Sequence, residues 1–143
     1  MNATSDPYFL QRFVDAQDGI FDTALSELRN GAKRSHWMWF VFPQIAGLGT
    51  SAMSQRYAIR SLGEAKAYLA HEVLGPRFRQ SVEALLAWSG KRDAATILGP
   101  VDAMKLRSSL TLFAAAAPEE EIFRRSLGAF FGTADPATLN LLQ

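Results

Sequence analysis

Residues 33–44 read KRSHWMWFVFPQ and form the most distinctive stretch of the chain. Four of these twelve residues are aromatic, and the stretch holds two of the three tryptophans and one of the two histidines. An apolar run of this density predicts a buried element. Lys33, Arg34, Ser35 and Gln44 place polar groups at both of its ends. We therefore expect part of the core and a functional site to lie here.

The same stretch decides the fold class. Its aromatic and valine residues favour a strand by propensity, and Pro43 ends the element because it pushes Phe42 out of the α region. No second strand-like run exists in the sequence to pair with it. Because one strand alone leaves its backbone groups without partners, we predict a short buried helix or an extended segment within an all-α fold.

Helical signals fill the rest of the chain. Ser61 and Glu64 form a capping box, and Pro7 and Pro118 suit the first position of a helix. The first predicted helix begins at Pro7. The following helices are predicted over 20–30, 52–59, 62–70, 71–89 (with an interruption near 75–76), 93–98 and 102–116, the last of these being the central one. Another helix begins at Pro118, and a final one covers 135–142. The pattern predicts a single compact irregular bundle of about eight or nine short helices. We expect one domain over residues 1–143, with residues 1–6 flexible.

Composition narrows the classes of function. Hydrophobic residues make up 48% and charged residues 20% of the 143 residues, as in a packed domain. With no cysteine and two distant histidines, His36 and His71, we predict no disulfide, no metal site and no cofactor. A net charge of +1 makes nucleic acid an improbable partner. No secretion signal and no apolar run near the ~18 residues of a membrane span are visible, so we expect a cytoplasmic protein without a membrane partner.

The chain resembles a bacterial family of unknown function (domain of unknown function 1810) whose members often carry the label "calpastatin". The resemblance rests on KRSHWMWFVFPQ at 33–44, GLG at 47–49 with Ser51 and Tyr57, LGPR at 74–77 and KLRSSLTLF at 105–113, and it extends from about Tyr8 to Leu142. It implies a small all-helical cytoplasmic domain and no particular activity. The protease-inhibitor label does not fit, since the composition is that of a packed domain rather than of a disordered inhibitor.

Two interpretations stay open for the aromatic motif. His36 is a candidate for general acid–base catalysis because imidazole titrates near neutral pH. The alternative is a buried histidine that is hydrogen-bonded to the backbone. Trp37 and Trp39 are candidates for stacking on a ligand ring, and core packing is the alternative for at least one of them.

Further polar residues are candidates for binding an anion. Lys33 and Arg34 fit a phosphate or carboxylate clamp, or else a solvated basic loop. The segment 47–51 fits an anion cradle, or else a capped turn. On the helix over 105–112, Lys105, Ser108 and Ser109 share a face; they form a polar pocket wall, or the serines bond back to carbonyls while the lysine reaches solvent.

Two functions therefore compete. The first is binding or processing of a small anionic, nucleotide-like ligand at a pocket between the 33–44 motif and the 105–109 helix face. His36 would then be the catalytic residue, and the ligand-binding residues would be Lys33, Arg34, Ser35, Trp37, Trp39, Gln44, Ser51, Tyr57, Lys105, Arg107, Ser108 and Ser109. The second is a non-enzymatic adaptor whose aromatic motif is structural core. The first requires these side chains to converge on one concave site, and the second predicts that they scatter.

Overall fold

The computed structural model describes residues 5–143, and within them ten α-helices follow one another. They are α1 (Gln11–Gln17), α2 (Phe21–Arg29), α3 (Met38–Val41), α4 (Ala52–Arg56), α5 (Leu62–Ala70), α6 (Leu74–Leu86), α7 (Ala94–Leu98), α8 (Pro100–Ala116), α9 (Glu121–Phe130) and α10 (Pro136–Leu141). The predicted all-α fold is confirmed: no strand occurs over this range, and the only extended pairing is an isolated bridge between Ile45 and Ile59. Residues 1–4, most of the stretch expected to be flexible, lie outside the described residues.

Helix α8 is the centre of the bundle, as its apolar sequence predicts. It packs against α5, α7, α9 and α10, and buried side chains occur on several of its faces, among them Leu106, Leu110 and Phe113. A helix with apolar side chains on several faces is stable only when neighbouring helices cover those faces. It begins at Pro100, two residues earlier than predicted, because proline is well suited to the first turn.

Aromatic rings join the helices in the core. The Phe78 ring of α6 lies 4.3 Å from that of Phe113 and 5.4 Å from that of Phe123, centroid to centroid. Tyr68 of α5 meets Phe13 of α1 edge-on at 5.1 Å. Such tilted and edge-to-face pairs add to the stabilisation that comes from burying the rings.

The 33–44 motif is helical in its middle and extended at its end. Trp37, which is fully buried, precedes the single turn of α3, and Phe42 leaves the helix with φ −125° and ψ 71° before Pro43, as predicted. The chain then runs beside the segment after α4: the Ala46 amide donates to the Ile59 carbonyl and the Ile59 amide to the Gln44 carbonyl, both at 2.8 Å. Two well-separated segments are thereby held next to each other.

Helix α1 begins four residues later than predicted. The Asp6 carboxylate accepts the amides of Leu10 (2.7 Å) and Gln11 (3.0 Å), but Phe9 stands in the left-handed region at φ +52° and interrupts the expected helix. For a residue with a Cβ this conformation costs roughly 1–2 kcal/mol. The surrounding contacts must therefore hold Phe9 in place.

Two further helix starts differ from prediction. Helix α9 begins at Glu121 instead of Pro118, because Glu120 is extended (φ −90°, ψ 99°) and its carboxylate binds the Arg79 guanidinium at 2.7 Å. The expected break near 75–76 is instead the first turn of α6, which begins at Leu74. Gly75 is required there, since a Cβ at this position would lie 2.1 Å from the Leu69 carbonyl oxygen.

Candidate functional site

A single carboxylate of α2 holds the loop that starts the motif. Glu27 accepts the backbone amides of Arg34 (2.8 Å) and Ser35 (3.1 Å), the Ser35 hydroxyl (2.6 Å) and the indole N–H of Trp37 (3.0 Å). Partial burial on its own would raise the pKa of Glu27, but these hydrogen bonds outweigh it and lower the pKa to about 2. The loop is therefore built around an ionised glutamate at neutral pH.

Glu27 directs the side chains between its contacts outward. Arg34 and His36 are both exposed, and neither side chain forms a hydrogen bond or ion pair with residues 5–143. The interpretation of His36 as a buried histidine bonded to backbone is thus wrong. Because Glu27 draws the amides on one side and the Trp37 indole on the other toward α2, the chain bends at Ser35 and His36 and the imidazole faces solvent.

The motif meets α8 in a cluster of two lysines, two tryptophans and an aspartate. Asp102 binds Lys33 at 2.9 Å and Lys105 at 3.6 Å. The Lys33 ammonium lies 5.1 Å from the Trp37 ring centroid, and the Lys105 ammonium lies 5.0 Å from the Trp39 ring centroid. Trp37 is buried in the core and Trp39 is half-buried, so Trp37 is the tryptophan to which the core-packing alternative applies. With Asp102 neutralising one lysine, the cluster has one excess positive charge.

Sequence reasoning missed Glu27 and Asp102. Asp102 stands three residues before Lys105 and in the first turn of α8, where a carboxylate complements the helix dipole, so a local signal existed for that pair. Glu27 had no such signal, because it reaches groups that are seven to ten residues further along the chain.

Several predicted site residues lie elsewhere. Arg107 donates to the carbonyls of Thr133 and Ala134, and Ser108 to the carbonyl of Met104 and to Asp135. The Ser109 hydroxyl is fully buried and has no hydrogen-bond partner among residues 5–143. Ser108 therefore shows the predicted back-bonding, and this part of the α8 face contacts the segment before α10 instead of the motif.

Ser51 and Tyr57 are separated from the lysines as well. Ser51 caps α4, its hydroxyl accepting the Ser54 amide at 3.1 Å. Tyr57 is core, with its ring 5.4 Å from that of Phe40 and 5.8 Å from that of Phe13. The predicted residues thus occupy four places: the loop of Arg34, Ser35 and His36 that Glu27 holds, the lysine–tryptophan cluster, the part of α8 that faces α10, and the α4 region.

The α4 region holds a small cavity at the end of the motif. Its volume is about 180 Å³, and it is lined by Gln44, Ile45, Ala46, Gly47, Leu48, Gly49, Ser54, Gln55, Ala58 and Arg60. The bridge between Ile45 and Ile59 brings the two sides of this cavity together. Of its lining residues, sequence reasoning named Gln44 and the 47–49 segment and missed Arg60.

Hydrogen-bond donors without protein partners collect around this cavity. The backbone N–H groups of Gly47, Leu48 and Gly49 donate to no acceptor in residues 5–143, and the side chain of Arg60 forms neither a hydrogen bond nor an ion pair there. Tertiary contacts hold the glycine segment closely: a Cβ on Gly47 would lie 3.2 Å from Leu141, and one on Gly49 would lie 2.6 Å from the Ser54 hydroxyl. Amide donors beside a guanidinium are the groups that bind oxyanions in proteins.

Two features of the described residues bear on the class of ligand. No group of three or more His, Cys, Asp or Glu side chains is placed to hold a metal ion. None of the helices between residues 5 and 143 has the length and apolar character to cross a membrane.

Comparison with known proteins agrees with the fold and supplies no activity. The chain is similar to the conserved hypothetical protein Rv1873 from Mycobacterium tuberculosis, whose crystal structure superposes with a TM-score of 0.92 at 46% sequence identity and covers 96% of this chain and 98% of that one. No curated protein matches it. The model of a family described as protein of unknown function, DUF1810, matches residues 7–142. The chain therefore belongs to the DUF1810 family, a family of unknown function.

Proposed function

We propose that this protein binds a small oxyanion, such as a phosphate group, in the cavity between Gln44 and Arg60. One observation carries the proposal: residues 47–49 and Arg60 line one cavity, and their backbone N–H groups and guanidinium, respectively, have no acceptor in residues 5–143. Unused donors beside one another favour an anion that accepts several hydrogen bonds at once. The Gln44 amide, at the end of the aromatic motif, supplies a further donor.

The proposal keeps the predicted class of ligand and moves its position. Lys33 and Lys105 are less suitable for a ligand because Asp102 already binds both of them. The Lys33 side chain is also only 9% exposed. The Arg60 side chain has no carboxylate partner among residues 5–143, so no protein carboxylate there competes with an anion for its guanidinium.

A titration of the ¹⁵N-labelled protein with inorganic phosphate tests this function by NMR. We expect saturable shifts of the amide signals of Gly47, Leu48 and Gly49. The dissociation constant should be no tighter than about 3 μM, since ligands gain at most roughly 1.5 kcal/mol per heavy atom and phosphate has five. Binding should weaken as ionic strength rises, because Arg60 is exposed.

Matched variants distinguish the cavity from general surface charge. Arg60→Ala should weaken phosphate binding by about tenfold to a hundredfold, the usual value of a hydrogen bond to a charged group. Arg125→Ala removes another exposed arginine that has no partner among residues 5–143, and it should leave binding unchanged. Equal effects of the two variants, or amide shifts confined to residues 34–36, would place the anion elsewhere and reject the proposal.

A protein-binding adaptor is the second candidate, and one observation favours it. Val101 and Met104, one turn apart on α8, are 68% and 70% exposed beside the lysine–tryptophan cluster. Two exposed apolar side chains one helical turn apart are neighbours on the helix surface and would form part of an apolar interaction patch. This candidate predicts that phosphate leaves residues 47–49 unperturbed, while a protein partner shifts the amide signals of residues 101–104.

A further inference from the structure

A second cavity adjoins the proposed anion site through the same arginine. Its volume is about 510 Å³, and it is lined by Pro7, Tyr8, Phe9, Arg12, Arg56, Arg60, Ser61 and Glu64. Arg60 lines both cavities, and its chain neighbours are divided between them: Ala58 lines the first, while Arg56 and Ser61 line the second. A ligand whose anionic group binds Arg60 from the first cavity can therefore extend over this residue into the second.

The second cavity has aromatic walls that the fold keeps open to solvent. Phe9 is 62% exposed and Tyr8 is 39% exposed, although aromatic side chains of this size are usually buried. Phe9 also has the left-handed backbone conformation, φ +52°, the only non-glycine residue among residues 5–143 that does. A strained backbone that presents an apolar ring to water is the kind of feature that clusters at ligand sites.

The strain is maintained by contacts that leave the ring itself free. Arg12 donates to the carbonyls of Tyr8 (2.7 Å) and Phe9 (2.8 Å), and Asp6 accepts the amides of Leu10 and Gln11. Arg12 is in turn paired with the buried Glu64 at 2.8 Å. Every one of these contacts is made to backbone or to a buried partner, so the fold determines the position of Phe9 without using its ring.

The charges around this cavity select an anion as well. Glu64 binds Arg12 with one carboxylate oxygen and the Arg60 amide with the other. Arg56 and Arg60 are exposed and form no ion pair within residues 5–143. The cavity thus presents two free cations and two aromatic rings, and its only carboxylate is already occupied.

We propose that the ligand is a phosphate monoester of a ring compound, with its phosphate group at Arg60 and residues 47–49 and its ring against Phe9 and Tyr8. This inference rests on the proposed function and adds the chemical class of the ligand. The observation behind it is the juxtaposition, across Arg60, of unused oxyanion donors and a strained, exposed aromatic pair. A ring that covers Phe9 would remove apolar surface of both partners from water.

Phenyl phosphate and inorganic phosphate together test the proposal. In the wild-type chain we expect phenyl phosphate to bind about tenfold tighter than inorganic phosphate, because its ring buries apolar surface against Phe9. The decisive variant is Phe9→Gly, since glycine adopts φ +52° without strain. This variant should keep the melting temperature of the wild type or exceed it, bind inorganic phosphate as before, and lose most of the tenfold preference for phenyl phosphate, since only Tyr8 then remains to contact the ring.

Controls separate the ring contact from other causes. Phe9→Asn, which also tolerates the left-handed region, should behave like Phe9→Gly, and Met104→Ala, which removes an exposed apolar side chain of α8, should keep the tenfold difference. Equal affinity of the wild type for the two phosphates, or a tenfold difference that survives in Phe9→Gly, overturns the ring contact and leaves the phosphate site standing. Failure of both phosphates to bind the wild type overturns the anion site together with this inference.

Discussion

Single residues determine how the motif is presented, and Glu27 is the clearest case. Its two carboxylate oxygens accept four hydrogen bonds from a stretch of only four residues. Hydrogen bonds to an ionised acceptor are shorter and stronger than neutral ones. The path of the loop, and with it the exposure of Arg34 and His36, therefore depends on the charge of one side chain.

Replacement of Glu27 by Gln should make this dependence measurable. At pH 7 we expect the free energy of unfolding to fall by about 1–2 kcal/mol, since the amide keeps one acceptor and loses the charge. The pKa of Glu27 is lowered from 4.5 to about 2 in the folded protein, so the unfolded chain binds the proton first. The stabilisation is accordingly complete above about pH 4.5 and decreases as the pH falls toward 2.

Thermal melts of wild type and Glu27→Gln at several pH values check this prediction. The difference between the two melting temperatures should be constant from pH 7 to about pH 5 and should shrink as the pH falls toward 2. Glu119→Gln, at an exposed position, is the control and should melt like the wild type throughout. A difference between wild type and Glu27→Gln that stays constant down to pH 2 would show that the charge of Glu27 does not hold the loop.

At the scale of elements, helix limits depend on contacts beyond the helix itself. Helices α5, α7 and α10 begin at local caps: Ser61, Asp93 and Asp135 each accept an amide three residues on. Helix α6 differs, because Gly75 in its first turn lies against the backbone at the end of α5. The sharp turn between α5 and α6 is thus possible only without a side chain at this position.

Two glycine-to-alanine substitutions should have opposite effects on stability. Gly75→Ala places a Cβ 2.1 Å from the Leu69 carbonyl oxygen, a backbone atom that cannot move away alone. We expect a loss of more than about 3 kcal/mol, since overpacking that displaces backbone is at the costly end of its range. Gly128→Ala, within α9 and with nothing inside 4 Å, should stabilise the protein by about 0.8–1 kcal/mol.

Urea unfolding followed by circular dichroism at 222 nm measures both changes. Both substitutions add the same methyl group to a helix. A difference between their effects on stability therefore comes from the atoms that surround each methyl group. If Gly75→Ala were as stable as the wild type, the close approach of Gly75 to the Leu69 carbonyl at the α5–α6 turn would be contradicted.

At the scale of the whole molecule, a buried ion pair joins distant parts of the chain. The five N–H groups of Arg12 donate to the carbonyls of Tyr8, Phe9, Arg56 and Ala58 and to Glu64. The N-terminal segment, the end of α4 and the start of α5 are therefore held by one guanidinium. An arginine can do this because its donors form a rigid planar fork.

Replacing Arg12 alone should lower the free energy of unfolding more than replacing both Arg12 and Glu64. Arg12→Met leaves the Glu64 carboxylate buried without its cation, and we expect a loss of about 3–5 kcal/mol. The double variant with Glu64→Gln should recover part of that loss, since the uncompensated charge is gone. Denaturant unfolding of the two single variants and the double variant gives the coupling energy, and a value near zero would contradict the role of the pair.

Much of the fold could be predicted from local patterns. The capping box at Ser61 and Glu64, the end of the motif at Pro43 and the central helix before Ala117 all follow from residues that are neighbours in the sequence. The predicted start of a helix was wrong where a residue near that start binds a distant partner, as Glu120 binds Arg79. The candidate site was predictable only in part, because Gln44 and the glycine segment have local signals while Arg60 faces them through a bridge between residues 45 and 59.

The sequence alone determined that this chain is helical, that the aromatic 33–44 motif forms part of the core, and that polar groups flank the motif. These properties follow from the period of apolar residues and from local turn and cap chemistry, which act over a few residues. Only the tertiary structure decided which polar groups meet, Lys33 with Asp102 and Glu27 with the 34–37 loop, and that Arg60 and residues 47–49 line one cavity. The physical reason is that hydrogen bonds and ion pairs depend on distances of about 3 Å, which the packing of helices sets and no periodicity in the sequence records.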